Sequence, residues 1–198
     1  MRIEILLYDG FDELNGIAPY EVLRTAEEYG ADIHAELVGA NGAGTVTASH
    51  GTGIAVDRGL SEGADMVLVP GGSWNSRGAK GAWAEAQRGE IPARLAAEHA
   101  RGARMASVCT GAMLLATAGI TNGRPATTHH TAIEDLRASG ANVVDARVVD
   151  DGDVLTAGGI TSGIDLALYL VEQQSGREIA DRVAEEMEYE RSGAVARA

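Results

Sequence analysis

Residues 104–116 read Arg-Met-Ala-Ser-Val-Cys-Thr-Gly-Ala-Met-Leu-Leu-Ala and contain the strongest fold signal in the chain. An apolar run ends at Val108, and a helical pattern begins within two residues of it. Cys109 therefore stands at a sharp strand-to-helix turn, as in a nucleophile elbow with cysteine in place of serine. We interpret Cys109 as a nucleophile rather than a structural cysteine, because alanine would serve packing there without the risk of oxidation.

Strand-like and helix-like segments alternate on both sides of this stretch. This alternation predicts an α/β fold with a mostly parallel sheet that is covered by helices on both faces. We expect one domain spanning residues 1–198. The predicted strands cover residues 3–8, 33–38, 65–69, 104–108 and 126–128, with hairpins over 46–56 and 143–156. The predicted helices cover residues 15–29, 83–101, 110–118, 131–139, 161–174 and 177–191.

The composition argues against several classes of function. The net charge of -13 would repel the phosphates of nucleic acids and of anionic membranes. No apolar run approaches the length of a membrane span, and the acidic start is too short for a signal peptide. The single cysteine permits no intramolecular disulfide and fits a reducing cytoplasm. Five scattered histidines make a metal site unexpected, and we expect no organic cofactor either.

The ends of the predicted parallel strands indicate where a ligand would bind. Ligands of such sheets bind beyond the carboxyl ends of the strands, where the loop after Tyr8, the turn at residues 70–72 and Cys109 would meet. The N–H of Gly72 could hold an anion beside the N–H of Thr110, although residues 70–72 could equally be a plain tight turn. Unpaired N–H groups at the helix start predict a lowered pKa for the Cys109 thiol.

Candidate acids and bases lie in two other places. The loop at residues 9–15 contains three carboxylates and the amide of Asn15, and helix capping accounts for these residues better than acid–base catalysis does. His129 and His130 follow a predicted strand, and a Cys–His pair is the usual means of activating a thiol. The other three histidines are expected on the surface.

A glycine-rich stretch at residues 158–165 leads into the helix predicted at residue 161. It matches neither GxGxxG nor a Walker motif, so it does not indicate a phosphate site. We assign its glycines to close packing of the following helix on the sheet.

Four segments together resemble the PfpI/ThiJ superfamily, whose members have a class I glutamine amidotransferase-like, flavodoxin-like fold. The resemblance is strongest to the branch with isonitrile hydratase and the amidase-like domains of AraC-type regulators. The segments span nearly the whole chain, and they lie at residues 14–23, 69–72, 107–129 and 155–168.

The resemblance implies a function and a set of site residues. Cys109 falls at the family's nucleophile, and the backbones of Gly72 and Thr110 fall at its oxyanion contacts, with Gly71 adjoining them. The implied enzyme is a lyase that hydrates an isonitrile to an N-substituted formamide through a thioimidate on Cys109. The resemblance also implies a small electrophilic substrate and a homodimer.

The chain departs from the family pattern where the family has an acid near the first strand. Asn15 occupies that position, through either an introduced Asp-to-Asn change or a natural substitution, and Ala18 stands where glycine is usual. An amide does not titrate, so we expect Asn15, bonded to the Thr110 hydroxyl, to weaken or redirect the chemistry. The proteases of the superfamily have histidine directly after the nucleophile. Thr110 follows Cys109 here, so the resemblance disfavours protease activity.

Two alternatives stay open at this point. The first is glyoxalase or deglycase chemistry on α-oxoaldehydes, for which Glu13 and His129 are the nearest candidates. The second is a non-enzymatic redox-sensing or ligand-binding module, because an exposed thiol of low pKa oxidises readily.

Overall fold

Strands and helices alternate along residues 1–197, the part of the chain that the computed structural model describes. The strands are β1 (Arg2–Leu7), β2 (His34–Gly39), β3 (Gly44–Thr47), β4 (Gly53–Val56), β5 (Met66–Val69), β6 (Arg104–Val108), β7 (Pro125–Ala126), β8 (Asn142–Val143), β9 (Val148–Asp151), β10 (Val154–Ala157) and β11 (Val195–Arg197). The helices are α1 (Glu13–Glu28), α2 (Ala82–Arg88), α3 (Glu90–Ala100), α4 (Gly111–Thr117), a 3₁₀ turn (His130–Ala132), α5 (Ile133–Ala138), α6 (Ser162–Ser175) and α7 (Arg177–Glu186).

A seven-stranded sheet is the centre of the fold, with the strand order β2-β1-β5-β6-β10-β9-β11. The strands from β2 to β10 pair in parallel, β9 runs antiparallel to β10, and β11 is parallel to β9. Helices α1, α6 and α7 pack together, as do α2, α3 and α4, and the two groups cover the two faces. The predicted α/β fold is therefore confirmed. None of the described helices is long and apolar enough to cross a membrane.

The middle of the sheet determines where the site forms. All four residues of β5 are completely buried, as expected for a parallel strand that is covered on both faces. At the end of β6, a β-carbon built on Gly163 of α6 would lie 3.1 Å from both Pro19 of α1 and Val108. The N-terminal half of α1 and the first turn of α6 therefore pack closely at the end of the strand that precedes Cys109.

Three elements differ from the sequence predictions. The single helix predicted over residues 83–101 is divided into α2 and α3 at Gly89, whose φ of +79° ends α2. The strand predicted over residues 143–149 is divided between β8 and β9. The helix predicted over residues 177–191 ends at Glu186, and β11 follows. The pairing of β11 with β9 is a long-range contact that a three-residue strand pattern does not reveal.

Candidate active site

Cys109 lies between the end of β6 and the start of α4, with a left-handed φ of +57°. This conformation costs a non-glycine residue about 1–2 kcal/mol, and such strain clusters at functional sites. Three hydrogen bonds hold it. The Cys109 N–H donates to the carbonyl oxygens of Ala157 (3.0 Å) and Gly158 (2.8 Å), and Thr128 Oγ1 donates to the Cys109 carbonyl oxygen (2.8 Å). The predicted strand–cysteine–helix elbow is confirmed.

The thiol of Cys109 is buried, and only 6% of the residue is exposed. Its sulfur accepts hydrogen bonds from the N–H and hydroxyl of Thr110 and from the N–H of Ile160. Burial dominates over these donors and, with the negative charge of Asp12, raises the pKa of the Cys109 thiol to about 11. The prediction of a lowered pKa is wrong because desolvation of the thiolate outweighs the donors. The sulfur therefore carries a proton at neutral pH.

The turn after β5 lies directly against the elbow. A β-carbon built on Gly71 would lie 2.5 Å from the backbone nitrogen of Thr110, so the close approach requires glycine. The Gly72 N–H donates to Thr110 Oγ1 at 3.0 Å, and the Thr110 hydroxyl in turn bonds to the Cys109 sulfur. Gly72 thus acts on the thiol through Thr110. The use of Gly71, Gly72 and Thr110 as oxyanion or substrate contacts stays a prediction.

The loop after β1 reaches the elbow, and the charge of its Asp12 acts on the Cys109 thiol. The Asp12 N–H donates to the Gly71 carbonyl oxygen at 2.8 Å. Asp12 is the N-cap residue of α1, but its carboxylate makes no capping hydrogen bond. Its charge instead adds to burial in raising the pKa of Cys109. Asp12 therefore stands at the helix start, as expected, but its side chain does not make the expected capping bond. The sequence signal for its place near the thiol is its position in the acidic loop at a strand end.

Asn15 lies in the first turn of α1 and is completely buried. Neither Oδ1 nor Nδ2 of its amide has a hydrogen-bond partner among residues 1–197. The expected bond to Thr110 is absent there, since the Thr110 hydroxyl lies between Gly72 and the thiol. A buried polar atom without a partner costs about 1–3 kcal/mol, so this amide requires an explanation beyond packing.

Glu13 makes its polar contacts with the turn between β3 and β4 rather than with the thiol. Its carboxylate accepts hydrogen bonds from the His50 N–H (3.0 Å), from His50 Nδ1 (2.7 Å) and from the Ser49 hydroxyl (3.1 Å). Burial raises the pKa of Glu13, but these bonds outweigh burial and lower the pKa to about 2. Glu13 is therefore ionised and occupied in holding this turn.

His129 borders the site from the side of β10. A β-carbon built on Gly159 would lie 3.0 Å from Cδ2 of the His129 ring, and Gly159 directly precedes Ile160. Burial lowers the pKa of His129, the charge of His130 lowers it further, and the charge of Asp12 opposes them. Of the two histidines considered as activators, His129 is the one that packs beside a backbone donor to the thiol.

The glycine-rich stretch at residues 158–165 has a second role that the sequence analysis missed. Gly163 serves close packing, as predicted, but the N–H of Ile160 also donates to the Cys109 sulfur. The neighbouring positions of β6 and β10 bring Ile160 to the elbow, and this order is not readable from the local sequence.

A cleft with a volume of about 590 Å³ opens beyond Gly158 and Gly159. It includes Thr128, whose hydroxyl holds the elbow, and it extends to Arg147, but the thiol does not line it. Arg147 is paired with the buried carboxylate of Asp165 at 2.6 Å. The cleft therefore adjoins the backbone that positions Cys109, and Cys109 is not among its lining residues.

Comparison with known proteins points to one family. A model of the DJ-1/PfpI family matches residues 1–173. Isonitrile hydratase of Pseudomonas putida is 34% identical over 191 residues, which are 96% of this chain and 78% of that protein. A deglycase of Pyrococcus abyssi is 32% identical over 157 residues, 77% of this chain and 87% of that protein. The crystal structure of Drosophila melanogaster DJ-1beta, at 25% identity, has a TM-score of 0.80 and covers 96% of this chain and 98% of that chain. This chain therefore belongs to the DJ-1/PfpI family.

Proposed function

We propose that this chain is a cysteine-dependent hydratase, a lyase that converts an isonitrile to the N-substituted formamide through a thioimidate on Cys109. The observation that carries the proposal is the buried thiol at the elbow, with donors from Thr110 and Ile160 around its sulfur. Similarity to the isonitrile hydratase of Pseudomonas putida over 96% of the chain supports this choice of substrate. Water and the substrate together supply every atom of the product, so the reaction requires no cofactor.

The first step uses the proton on the sulfur. An isocyanide carbon has a lone pair and is also electrophilic, so it takes up both a nucleophile and a proton. Because burial raises the pKa of the Cys109 thiol to about 11, the sulfur supplies both. The S–C bond forms, the S–H bond breaks, and the proton moves to the isocyanide carbon to give a thioimidate, R–N=CH–S. The N–H groups of Thr110 and Ile160 stabilise negative charge on the sulfur as that proton leaves.

The second step consumes water. Water adds to the thioimidate carbon, the C–S bond breaks, and one water proton moves to the substrate nitrogen while the other returns to the sulfur. The products are R–NH–CHO and the free thiol. In this proposal the backbone N–H groups of Gly72 and Thr110, beside Gly71, orient the reacting carbon and the oxygen that it acquires.

In this proposal Asn15 binds the reacting groups by hydrogen bonds and transfers no proton, since an amide does not titrate. Its Nδ2 can donate to the thioimidate nitrogen, and its Oδ1 can accept from the attacking water. Both atoms lack a protein partner within residues 1–197, which supports a role in binding a ligand. We expect the amide to give slower turnover than a carboxyl group would.

Formamide production tests the proposal. The full chain is incubated with cyclohexyl isocyanide, and N-cyclohexylformamide is quantified by chromatography. We expect turnover by the unmodified chain and none by Cys109→Ala, with circular dichroism confirming that the variant is folded. If neither the unmodified chain nor Asn15→Asp produced formamide while iodoacetamide still alkylated Cys109, the hydratase proposal would be wrong.

Deglycase or glyoxalase chemistry on α-oxoaldehydes is the second candidate. The deglycase of Pyrococcus abyssi at 32% identity and the position of His129 beside Gly159 favour it. The contacts of Glu13 with Ser49 and His50 weigh against it, because they occupy the carboxylate that this chemistry would use. Methylglyoxal consumption that disappears in Cys109→Ala, without formamide production, would support this candidate.

The redox-sensing form of the non-enzymatic alternative is disfavoured by the raised pKa of Cys109. The thiolate is the form that reacts with peroxide, and burial keeps the sulfur protonated. A stable Cys109 sulfinate after mild peroxide, without turnover of any electrophile, would restore this alternative.

We also propose that the protein acts as a homodimer in the cytoplasm on a small electrophile. The family resemblance supports the dimer, and the single cysteine supports a reducing compartment. Light scattering during size-exclusion chromatography should give the mass of two chains, and the mass of one chain would contradict the dimer.

A further inference from the structure

Residues 73–81 form a loop between β5 and α2 whose side chains are tied to α5. Trp74 Nε1 donates to Asp135 Oδ2 at 2.6 Å, and an Arg77 nitrogen donates to the same oxygen at 2.7 Å. The Arg77 guanidinium also stacks over the ring of Trp83 at 3.8 Å. Because the loop directly follows Gly72, these contacts connect the elbow region to the segment that contains His129.

Asn75 lies in the same loop and extends the connection to His129. Its Nδ2 donates to Thr131 Oγ1. Thr131 Oγ1 lies 2.8 Å from His129 Nδ1, and the Thr131 backbone N–H donates to that nitrogen at 3.3 Å. A continuous set of hydrogen bonds therefore runs from Asn75 through Thr131 to one specific nitrogen of the His129 ring.

The directions of these bonds select one tautomer of His129. A backbone N–H can only donate, so Nδ1 is an acceptor for Thr131. The Thr131 hydroxyl accepts from Asn75, which leaves its own proton for His129 Nδ1. Burial, followed by the charge of His130, lowers the pKa of His129 against the opposing charge of Asp12, so the ring is neutral at neutral pH. A neutral imidazole that accepts at Nδ1 carries its proton on Nε2.

The other nitrogen of the ring lies toward the backbone that contacts the thiol. A β-carbon built on Gly159 would lie 3.0 Å from Cδ2 and 3.6 Å from Nε2 of His129. Gly159 stands between Gly158, whose carbonyl accepts from the Cys109 N–H, and Ile160, whose N–H bonds the sulfur. The Nε2 edge of the ring therefore lies close to the backbone segment that hydrogen-bonds to Cys109.

We propose that Asn75 and Thr131 fix His129 as the tautomer protonated at Nε2, so that His129 presents a hydrogen-bond donor, and not an acceptor, to a ligand bound at Cys109. Asn75 and Thr131 are positioning residues, and neither contacts the reacting atoms. The inference rests on the proposed function only in taking Cys109 as the place where the ligand binds. In this inference His129 donates a hydrogen bond that stabilises negative charge on the ligand. His129 is not the base that removes the thiol proton.

Nuclear magnetic resonance of the full chain tests this inference without any substrate. Histidine labelled with ¹⁵N is incorporated, and the two ring nitrogens of His129 are assigned by their loss in His129→Gln. We expect a pyrrole-type Nε2 and a pyridine-type Nδ1 at a pH where the ring is neutral. Thr131→Val should shift the ring toward a mixture of tautomers, and Thr131→Ser should restore the original signals.

Asn75→Asp gives a directional test with little change in shape. A carboxylate cannot donate, so the Thr131 hydroxyl would turn to donate to it and present a lone pair to His129 Nδ1. We expect the tautomer population to move toward Nδ1–H. Ser49→Ala is the matched control, because Ser49 Oγ lies 3.1 Å from His50 Nδ1 and its loss should change only the His50 signals.

Turnover provides a separate readout. Thr131→Val should slow isocyanide hydration about fivefold to tenfold, the effect of one lost hydrogen bond, and Thr131→Ser should recover it. A pyrrole-type Nδ1 in the unmodified chain would overturn the inference. So would an unchanged tautomer in both Thr131→Val and Asn75→Asp. Absence of all turnover would instead count against the hydratase proposal alone, since the tautomer is read without substrate.

Discussion

Thr110 and Asn15 are both buried polar side chains beside strand ends of the same sheet, yet their hydrogen bonding is opposite. The Thr110 hydroxyl accepts from the Gly72 N–H and bonds to the Cys109 sulfur. The Asn15 amide is completely buried, and both of its polar atoms lack partners among residues 1–197. Buried polar groups in folded proteins are normally bonded, so the contrast is informative. Thr110 completes the hydrogen bonding of the elbow. The amide of Asn15 contributes no such bond among residues 1–197, and the proposed function assigns it to binding a ligand.

The largest expected effect comes from disturbing the close approach of Gly71 to Thr110. A β-carbon on Gly71 would lie 2.5 Å from the Thr110 nitrogen and 2.6 Å from its Oγ1. Gly71→Ala should therefore lower the free energy of unfolding by about 3 kcal/mol, as overpacking against rigid backbone does. Gly78→Ala, whose nearest contact would be Ser76 Oγ at 3.6 Å, should change it by less than about 0.5 kcal/mol. Urea denaturation measures both, and equal effects would contradict the close approach.

Asn15→Asp tests whether residue 15 takes part in the chemistry. A carboxyl group at this position would supply general acid–base catalysis, which contributes about 10²-fold or more to a rate. We expect kcat/KM for isocyanide hydration to rise about a hundredfold. Asn41→Asp is the control, because it adds the same charge at an exposed position and should leave the rate unchanged. A rate that falls or stays constant in Asn15→Asp would remove residue 15 from the chemistry.

Apolar replacements of similar size should affect stability in opposite directions at the two positions. Thr110→Val leaves the Gly72 N–H without its acceptor and should cost about 1–2 kcal/mol of unfolding free energy. Asn15→Leu removes two unpartnered polar atoms and should be neutral or stabilise by up to about 1 kcal/mol, while it lowers turnover. Thermal and urea unfolding provide the comparison. Destabilisation of similar size in both variants would show that Asn15 has a structural role.

The ionisation of Cys109 gives a smaller effect with a defined sign. Because burial raises the thiol pKa from 9.0 to about 11, iodoacetamide alkylation should keep accelerating with pH until near 11. The unfolded thiol ionises first, so the contribution of this thiol to stability is complete below pH 9 and is lost as pH rises from 9 to 11. Thr110→Val removes a donor and should move the alkylation midpoint higher. A midpoint near 8.5 in the unmodified chain would contradict the effect of burial.

The parts of the fold and site that were predictable from sequence are those with strong local signals. The run that became β5 is apolar throughout, and β6 is buried after Arg104, because both faces of these strands are covered. Cys109 follows β6 directly at a strand-to-helix junction. The short strand β11 was not predictable, because only its pairing with β9 defines it.

The properties of the site depended on contacts between distant segments. The donor from Ile160 reaches the thiol because β10 pairs with β6, and the raised pKa of Cys109 follows from burial by several loops. The sequence position of Asn15 suggested a place in the site. Its lack of hydrogen-bond partners could not be predicted, because it depends on where the Thr110 hydroxyl points. Local sequence thus predicts the nucleophile, and the packing of the loops decides its protonation.

The hydratase proposal requires the Cys109 thiol to add to the isocyanide carbon. Mass spectrometry of the full chain, quenched with acid shortly after mixing with an excess of aryl isocyanide, tests this step directly. We predict an increase equal to the mass of one isocyanide, located on the peptide that contains Cys109 and absent in Cys109→Ala. Formamide production with Cys109 unmodified throughout, or an adduct on a different residue, would contradict the account.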